Sequence, residues 1–185
     1  MGAFTVPREL LREADGSVRF VPVAELEALR GEHYEASNVS LEEAAAFAVP
    51  GLHGEALEIE AVFDAAASPD AVFGLRVRTS ADGSEYTEIS YSSALGVVMM
   101  NRDHSGAGAG GISTAPLVPL AEGTVKLRLF VDASSVELFA NDGVRTITNR
   151  IYPDKESRGV HFFTEGTNVV LKSLQAWRLK ESGIR

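Results

Sequence analysis

The sequence predicts an all-β protein, a two-sheet antiparallel β-sandwich preceded by an N-terminal junction segment. Two observations carry this expectation. From Ala56 onward, short runs of alternating apolar and polar residues follow one another, the pattern of strands with one buried face. Turn clusters such as Ala81-Asp82-Gly83-Ser84 and Asn141-Asp142-Gly143 separate those runs, and Asp, Asn and Gly tolerate the backbone conformations that tight reversals need.

The opening fifty residues read differently. Val23, Leu26 and Leu29 stand at helical spacing, and Ser40 followed by Glu43 has the form of a capping box before Ala44-Ala45-Ala46-Phe47-Ala48. Two short helices are expected there, with Pro22 to Gly31 joining an N-terminal extension to the sandwich. The first strand follows, with Leu57, Ile59, Ala61 and Phe63 alternating with Glu58, Glu60 and Val62. Phe73, Leu75 and Val77 form the next, separated by Arg76 and followed by Arg78. Further strands are read at 86–91, 96–100, 125–131, 136–140, 144–151, 160–163 and 169–179. Many strands at short spacing pack as two sheets face to face.

Composition excludes several function classes. A chain of 185 residues holds one main domain with a real core. Its net charge of −9, with no run of Lys or Arg, lacks the footprint of a nucleic-acid or anionic-membrane binder, so neutral molecules or other proteins are the expected partners. The absence of cysteine removes disulfides, thiolate metal sites and Cys nucleophiles together. The N-terminus, Met1 to Leu10, reads as neither a signal peptide nor a membrane span, and it opens abruptly, as a fragment would.

Beyond alternation, particular residues resemble the C-terminal β-sandwich of glycoside hydrolase family 32, the invertases, levanases, inulinases and related β-fructosidases. They are Phe130, Asp132, Ser134-Ser135-Val136-Glu137, Phe139, Asn141-Asp142-Gly143 and Arg150-Ile151-Tyr152-Pro153. Near the start, Thr5-Val6-Pro7-Arg8-Glu9-Leu10, with Pro22-Val23, Glu25-Leu26 and Leu29-Arg30, resembles the junction where that family's catalytic propeller ends. A third and weaker resemblance is Asn101-Arg102-Asp103-His104-Ser105-Gly106, where the family usually has Asp-Arg followed by a small residue and Gly. The resemblance implies a concanavalin-like or jelly-roll sandwich over 32–185 and a junction over 1–31. It also implies that the catalytic residues lie upstream, in a five-bladed propeller whose Asn-Asp-Pro-Asn, Arg-Asp-Pro and Glu-Cys motifs are missing here. The chain is then a non-catalytic accessory domain that stabilises the propeller and could mediate homodimer contacts, or alternatively a fructan or oligosaccharide-binding module. The parent enzyme could be cytoplasmic or secreted.

Candidate chemistry within the chain is sparse. Glycoside hydrolysis needs two carboxyl groups, and Glu58 and Glu60 share one strand face roughly 6.5–7 Å apart at ~3.3 Å rise per residue. Nothing in the sequence raises the pKa of either, as a general acid requires, so a solvated sheet face is expected. Gly106 to Gly111 satisfies Gly-x-Gly-x-x-Gly, but Ile112 to Pro116 supplies no helix N-terminus for a pyrophosphate, and a mobile, lid-like loop is expected instead. His33, His53, His104 and His161 have no ligand-like spacing, so neither metal nor cofactor is implied. Tyr86, Tyr91 and Trp177 are candidate sugar-stacking rings, although strand aromatics more commonly serve packing. Asp132 and Glu137, carboxylates within the family-like stretch, are expected to shape a turn and a solvated face.

Overall fold

Alternation puts every second side chain of a strand on one face, and where two such faces meet a core forms. The computed structural model describes residues 4–43 and 45–180. In chain order the strands are β1 (Arg8–Arg12), β2 (Val18–Pro22), β3 (Arg30–Leu41), β4 (Leu57–Asp64), β5 (Val72–Thr79), β6 (Thr87–Ser92) and β7 (Val97–Asn101). They continue with β8 (Ile112–Pro116), β9 (Thr124–Asp132), β10 (Ser135–Ala140), β11 (Arg145–Arg150), β12 (Gly159–Glu165) and β13 (Val169–Leu179).

Six strands form one antiparallel sheet in the order β11-β10-β9-β4-β13-β3, and five form a second in the order β12-β5-β6-β7-β8. β1 and β2 make a separate hairpin. The sandwich expected from the sequence is the fold observed. Its core lies between the two sheets: Leu57, Ile59, Ala61 and Phe63 of β4 face Phe73, Leu75 and Val77 of β5, all essentially inaccessible to solvent. Phe63, Phe73 and Tyr91 form a chain of rings with centroids 5.0 and 5.6 Å apart, a tilted geometry that aromatic quadrupoles favour.

Neither expected helix forms as an α-helix. Val23, Leu26 and Leu29 repeat every three residues, which suits the 3.0-residue turn of a 3-10 helix, and a 3-10 segment spans Ala24–Leu29. The capping-box reading fails because Ser40 lies inside β3, paired with Val170 of β13. Phe47 exchanges backbone hydrogen bonds of 2.9 and 2.7 Å with Phe162, extending the edge of the five-stranded sheet where a helix was expected. Long-range pairing overrides the local helical preference of the alanines; Ala44 lies outside the described residues. Among the described residues no helix is long and apolar enough to cross a membrane.

Candidate functional site

Register brings six residues into one row across the outer face of the larger sheet: Thr148, Glu137, Phe130, Glu58, Trp177 and His33, one from each strand. Such a face would ordinarily be wet. Here the segment from Val6 to Leu29 lies over it, so that Glu58 is 0% and Glu137 3% exposed. Both readings of a solvated face are therefore corrected.

A buried carboxylate survives only with full compensation. Arg30 reaches Glu58 with Nε to Oε2 and Nη2 to Oε1, both at 2.8 Å. Arg128 adds Nε and Nη2 to Oε1 at 2.9 and 2.6 Å. Burial alone would raise the Glu58 pKa, but Arg30 and Arg128 together outweigh it and hold the carboxyl below its ordinary value. Glu60 lies 3.4 Å from each guanidinium and 3.2 Å from Lys126, which also pairs with Asp142 at 2.9 Å. The glycosidase reading of Glu58 and Glu60 thus meets the opposite of what it needs: an ionised, inaccessible carboxylate in place of a protonated acid facing a cleft.

Glu137 performs the equivalent task for the N-terminal segment. Its Oε1 accepts the Val6 amide at 2.7 Å, and its Oε2 is paired with Arg8, whose Nη2 also donates to Thr148 at 2.9 Å. The Arg8 guanidinium stands 5.0 Å from the centre of the Phe139 ring. Nearby, Asn141 and Asp142 have φ of 46° and 56° and Gly143 has 85°. A Cβ on Gly143 would fall 2.0 Å from the Phe20 carbonyl oxygen, so β2 sits directly against this turn. Asn141 is buried and secures the turn, its Oδ1 accepting the Lys126 amide at 2.9 Å and its Nδ2 donating to the Val118 carbonyl at 2.8 Å.

The residues singled out by the resemblance fall around three contacts. Pro7, Arg8, Glu9 and Leu10 belong to the hairpin side, where the Pro7 carbonyl takes the Val23 amide at 3.1 Å and Leu10 pairs with Phe20. Glu137, Asn141 and Gly143 supply the sheet side of that junction. Ser135 stands at the start of β10, paired with both Asp132 and Arg150, and the Asp132 carboxylate accepts the Ala133 amide at 2.7 Å within the β9–β10 turn. Arg150 lies over the Tyr152 ring at 5.2 Å, and Tyr152 with Pro153 begins the strap that crosses to the second sheet.

Of the candidate stacking rings, Tyr91 is buried, with its hydroxyl donating to the Leu117 carbonyl at 3.3 Å, and offers no face to a sugar. Tyr86 is half-buried, stacked with His104 at 4.9 Å and contacted by Arg76 at 4.5 Å. Trp177 is half-buried between strands, stacked with His33 at 5.2 Å and with Arg30 at 3.8 Å from its ring centre. The glycine-rich loop is tied down, contrary to the lid expected. Arg102 donates to the Ala109 and Gly110 carbonyls, Asp103 accepts the Gly111 amide at 2.7 Å, and Gly106 bridges to Tyr152.

Sequence reasoning gave no pairing role to Arg30, named only within the junction, or to Arg128 and Arg78, named at most as strand positions. Arg78 sits at a bulge opposite Gly159–Val160 with φ of 54°, is 2% exposed, and donates to the Ser157 and Asp154 carbonyls at 2.8 and 3.1 Å. Its burial draws its pKa down, opposed by Glu55, Glu85 and Asp132. Only the register of distant strands places these arginines, and no local spacing signals it.

In and just before the hairpin, Phe4, Leu10, Leu11, Val18 and Phe20 are exposed, Phe4 completely and Leu10 by 67%, with Leu10, Val18 and Phe20 on one face of the hairpin and Leu11 on the other. These apolar side chains lie on the segment that the Val6 and Arg8 contacts to Glu137 fasten to the sandwich.

Comparison with known proteins places this geometry. The family model described as glycosyl hydrolases family 32 C terminal matches residues 25–178. A levanase of Bacillus subtilis is 38% identical over 97% of this chain, which spans 27% of that protein. A sucrose-6-phosphate hydrolase of Zymomonas mobilis is 33% identical over 99% of the chain, spanning 35% of its length. The chain therefore covers about a third or less of these curated relatives. Among solved structures, exo-inulinase from Aspergillus awamori superposes with a TM-score of 0.82 at 22% identity, over 95% of this chain and 35% of that one. Fructan 1-exohydrolase IIa from Cichorium intybus gives 0.81 at 23% identity, over 95% and 41%. At those identities the structures speak for the fold.

Proposed function

The chain belongs to the C-terminal domain family of the glycosyl hydrolases of family 32, and from that premise we propose that it is the non-catalytic accessory domain of a β-fructosidase. In this reading residues 1–31 are the junction, 32–185 are the sandwich, and the partner is a five-bladed catalytic propeller upstream. The observation that carries the reading is the N-terminal segment: it leaves Phe4, Leu10, Val18 and Phe20 exposed and is fastened to the sandwich by the charge clamp at Glu137. Exposed apolar side chains favour docking against a partner surface, and the clamp fixes the position of the segment that carries them. Glu58 and Glu137 are committed to arginines, and so the two buried carboxylates of the outer face hold the scaffold together.

Relatives in the family bear the names levanase, sucrose-6-phosphate hydrolase and inulinase, which supports a fructoside substrate for the intact enzyme. The test is direct. The purified chain is expected to release no fructose from sucrose, inulin or levan, and hydrolysis that survives repurification would overturn the proposal. The upstream reading frame provides the complementary test, since the proposal requires the three propeller motifs there.

A further inference from the structure

We propose that the apolar cleft between the junction segment and the end of the sandwich binds a free amino acid with a large apolar side chain. The cleft holds about 420 Å³, within the ~300–1,000 Å³ typical of small-molecule sites. Its apolar walls come from separate parts of the chain: Val6 from the N-terminal segment, Leu26 and Leu29 from the 3-10 helix, Phe130 and Val131 from β9, and Leu179 from β13. Backbone hydrogen bonds tie these parts together. The Leu179 amide donates to the Ala56 carbonyl at 3.0 Å and the Lys180 amide to the Leu29 carbonyl at 2.8 Å, so the cleft is formed before a ligand arrives.

Charge decides what else the ligand carries. Asp132 and Lys180 are the charged residues on the wall of this cleft; both are exposed, and among the described residues neither belongs to an ion pair. The Asp132 carboxylate accepts the Ala133 amide at 2.7 Å, which orients it and leaves acceptor sites free. The adjoining polar cleft adds Glu55, Arg158 and Arg178, and these are committed: Arg158 to Glu55 at 3.2 Å and to Glu156 at 3.8 Å, Arg178 to Glu32 at 3.0 Å. Arg78, bonded to the Ser157 carbonyl beside Arg158, is buried in the combined field of Glu55, Glu85, Asp132 and Arg158 and closed to a ligand. Once the pairs are set aside, one ammonium and one carboxylate remain at the mouth of an apolar cleft. Their complement is a molecule with a carboxylate for Lys180, an ammonium for Asp132 and an apolar body for the walls. A free α-amino acid joins those three groups at one carbon, whereas a residue inside a peptide has lost both charges.

Amino-acid binding is independent of the accessory role, which fructose release tests separately. Amide ¹H–¹⁵N spectra of the full chain would be recorded during titration with L-leucine and with L-phenylalanine. Each is compared with the analogue lacking the ammonium, isocaproate or hydrocinnamate, and with the analogue lacking the carboxylate, isoamylamine or phenethylamine. Saturable shifts at Leu26, Ala56, Ala133 and Leu179 are expected with at least one of the amino acids, and its two analogues should bind about tenfold or more weakly. Asp132→Asn, which keeps an oxygen for the Ala133 amide, should erase the advantage over the analogue lacking the ammonium. Lys180→Met should erase the advantage over the analogue lacking the carboxylate. A substitution that merely loosened the cleft would weaken both comparisons alike, and unchanged spectra elsewhere would show that the variants remain folded. The proposal is overturned if neither amino acid gives saturable shifts, if the shifts lie on another surface, if an analogue binds as tightly as its amino acid, or if both variants keep the full preference.

Discussion

Replacing Glu58 with Gln preserves side-chain shape and removes the charge that four guanidinium hydrogen bonds now share. The new amide can accept through one oxygen, but its NH₂ group faces donors. Removing one partner from a buried ion pair costs about 3–5 kcal/mol. Glu60 remains 3.4 Å from both guanidiniums, and the arginine side chains are 20% and 19% exposed, so water relieves part of the loss. The lower end applies, about 3 kcal/mol. At roughly 2–4 °C per kcal/mol for a chain of this size, the midpoint of thermal unfolding should fall by about 6–12 °C. Circular dichroism melts and urea titrations at neutral pH measure this directly. The pH dependence provides a second reading with a definite sign. Because the folded pKa of Glu58 lies below its unfolded value, its contribution is fully present above the unfolded pKa and is lost as pH falls through the folded one. The gap between wild type and Glu58→Gln should therefore be widest near neutrality and close progressively in acid below about pH 4.3. A loss under about 1 kcal/mol, typical of a surface pair, would refute the claim that this network holds the outer face together.

Further outcomes follow from the same contacts. Glu137→Gln removes the charge facing Arg8 and weakens the acceptor for the Val6 amide; exchange of that amide should accelerate by about tenfold or more, read by hydrogen exchange. Gly143→Ala combines an unfavourable φ of 85° with a Cβ 2.0 Å from the Phe20 carbonyl, whereas Gly83→Ala has a φ of 73° and open space around it. The second should cost about 1–2 kcal/mol and the first distinctly more, in paired urea melts. Asp82 accepts hydrogen bonds from the Ser80 hydroxyl and from the Ser84 amide and hydroxyl, which bring its pKa to about 2, so its carboxyl resonance should titrate well below that of an ordinary Asp and move up in Ser80→Ala.

The fold was legible where one face of a strand is fully apolar. Leu57 to Phe63 and Val125 to Val131 alternate so strictly that their strands could be placed within a residue or so, as could the hairpin turn at Asn141-Asp142-Gly143. β3 and β8 were not read as strands, because both are sheet edges whose sequences, Arg30–Leu41 and Ile112–Pro116, carry small and polar residues on both faces. β1 and β2 were missed for a related reason: they form a lone hairpin whose apolar residues divide between its two faces, Leu10, Val18 and Phe20 on one and Leu11 and Val21 on the other. The candidate site was harder still. Alternation correctly sent Glu58 and Glu137 to the outer face, yet their burial depends on a segment more than a hundred residues away from Glu137 folding across it. Periodicity reports which face a residue takes and is silent on what later covers that face.

The clamp between Arg8 and Glu137 also bears on where this unit can be cut. The family match begins at residue 25, downstream of Val6, Arg8 and the whole hairpin. A chain trimmed to that match would keep Glu137 and lose its counter-ion Arg8 together with the cover that Val6 and Arg8 give to Phe130 and Phe139, exposing both rings. The boundary drawn by recurrence among relatives and the boundary drawn by energetic self-sufficiency therefore differ by about twenty residues here. The smallest piece that can be transplanted intact includes part of what looks, in sequence, like someone else's linker.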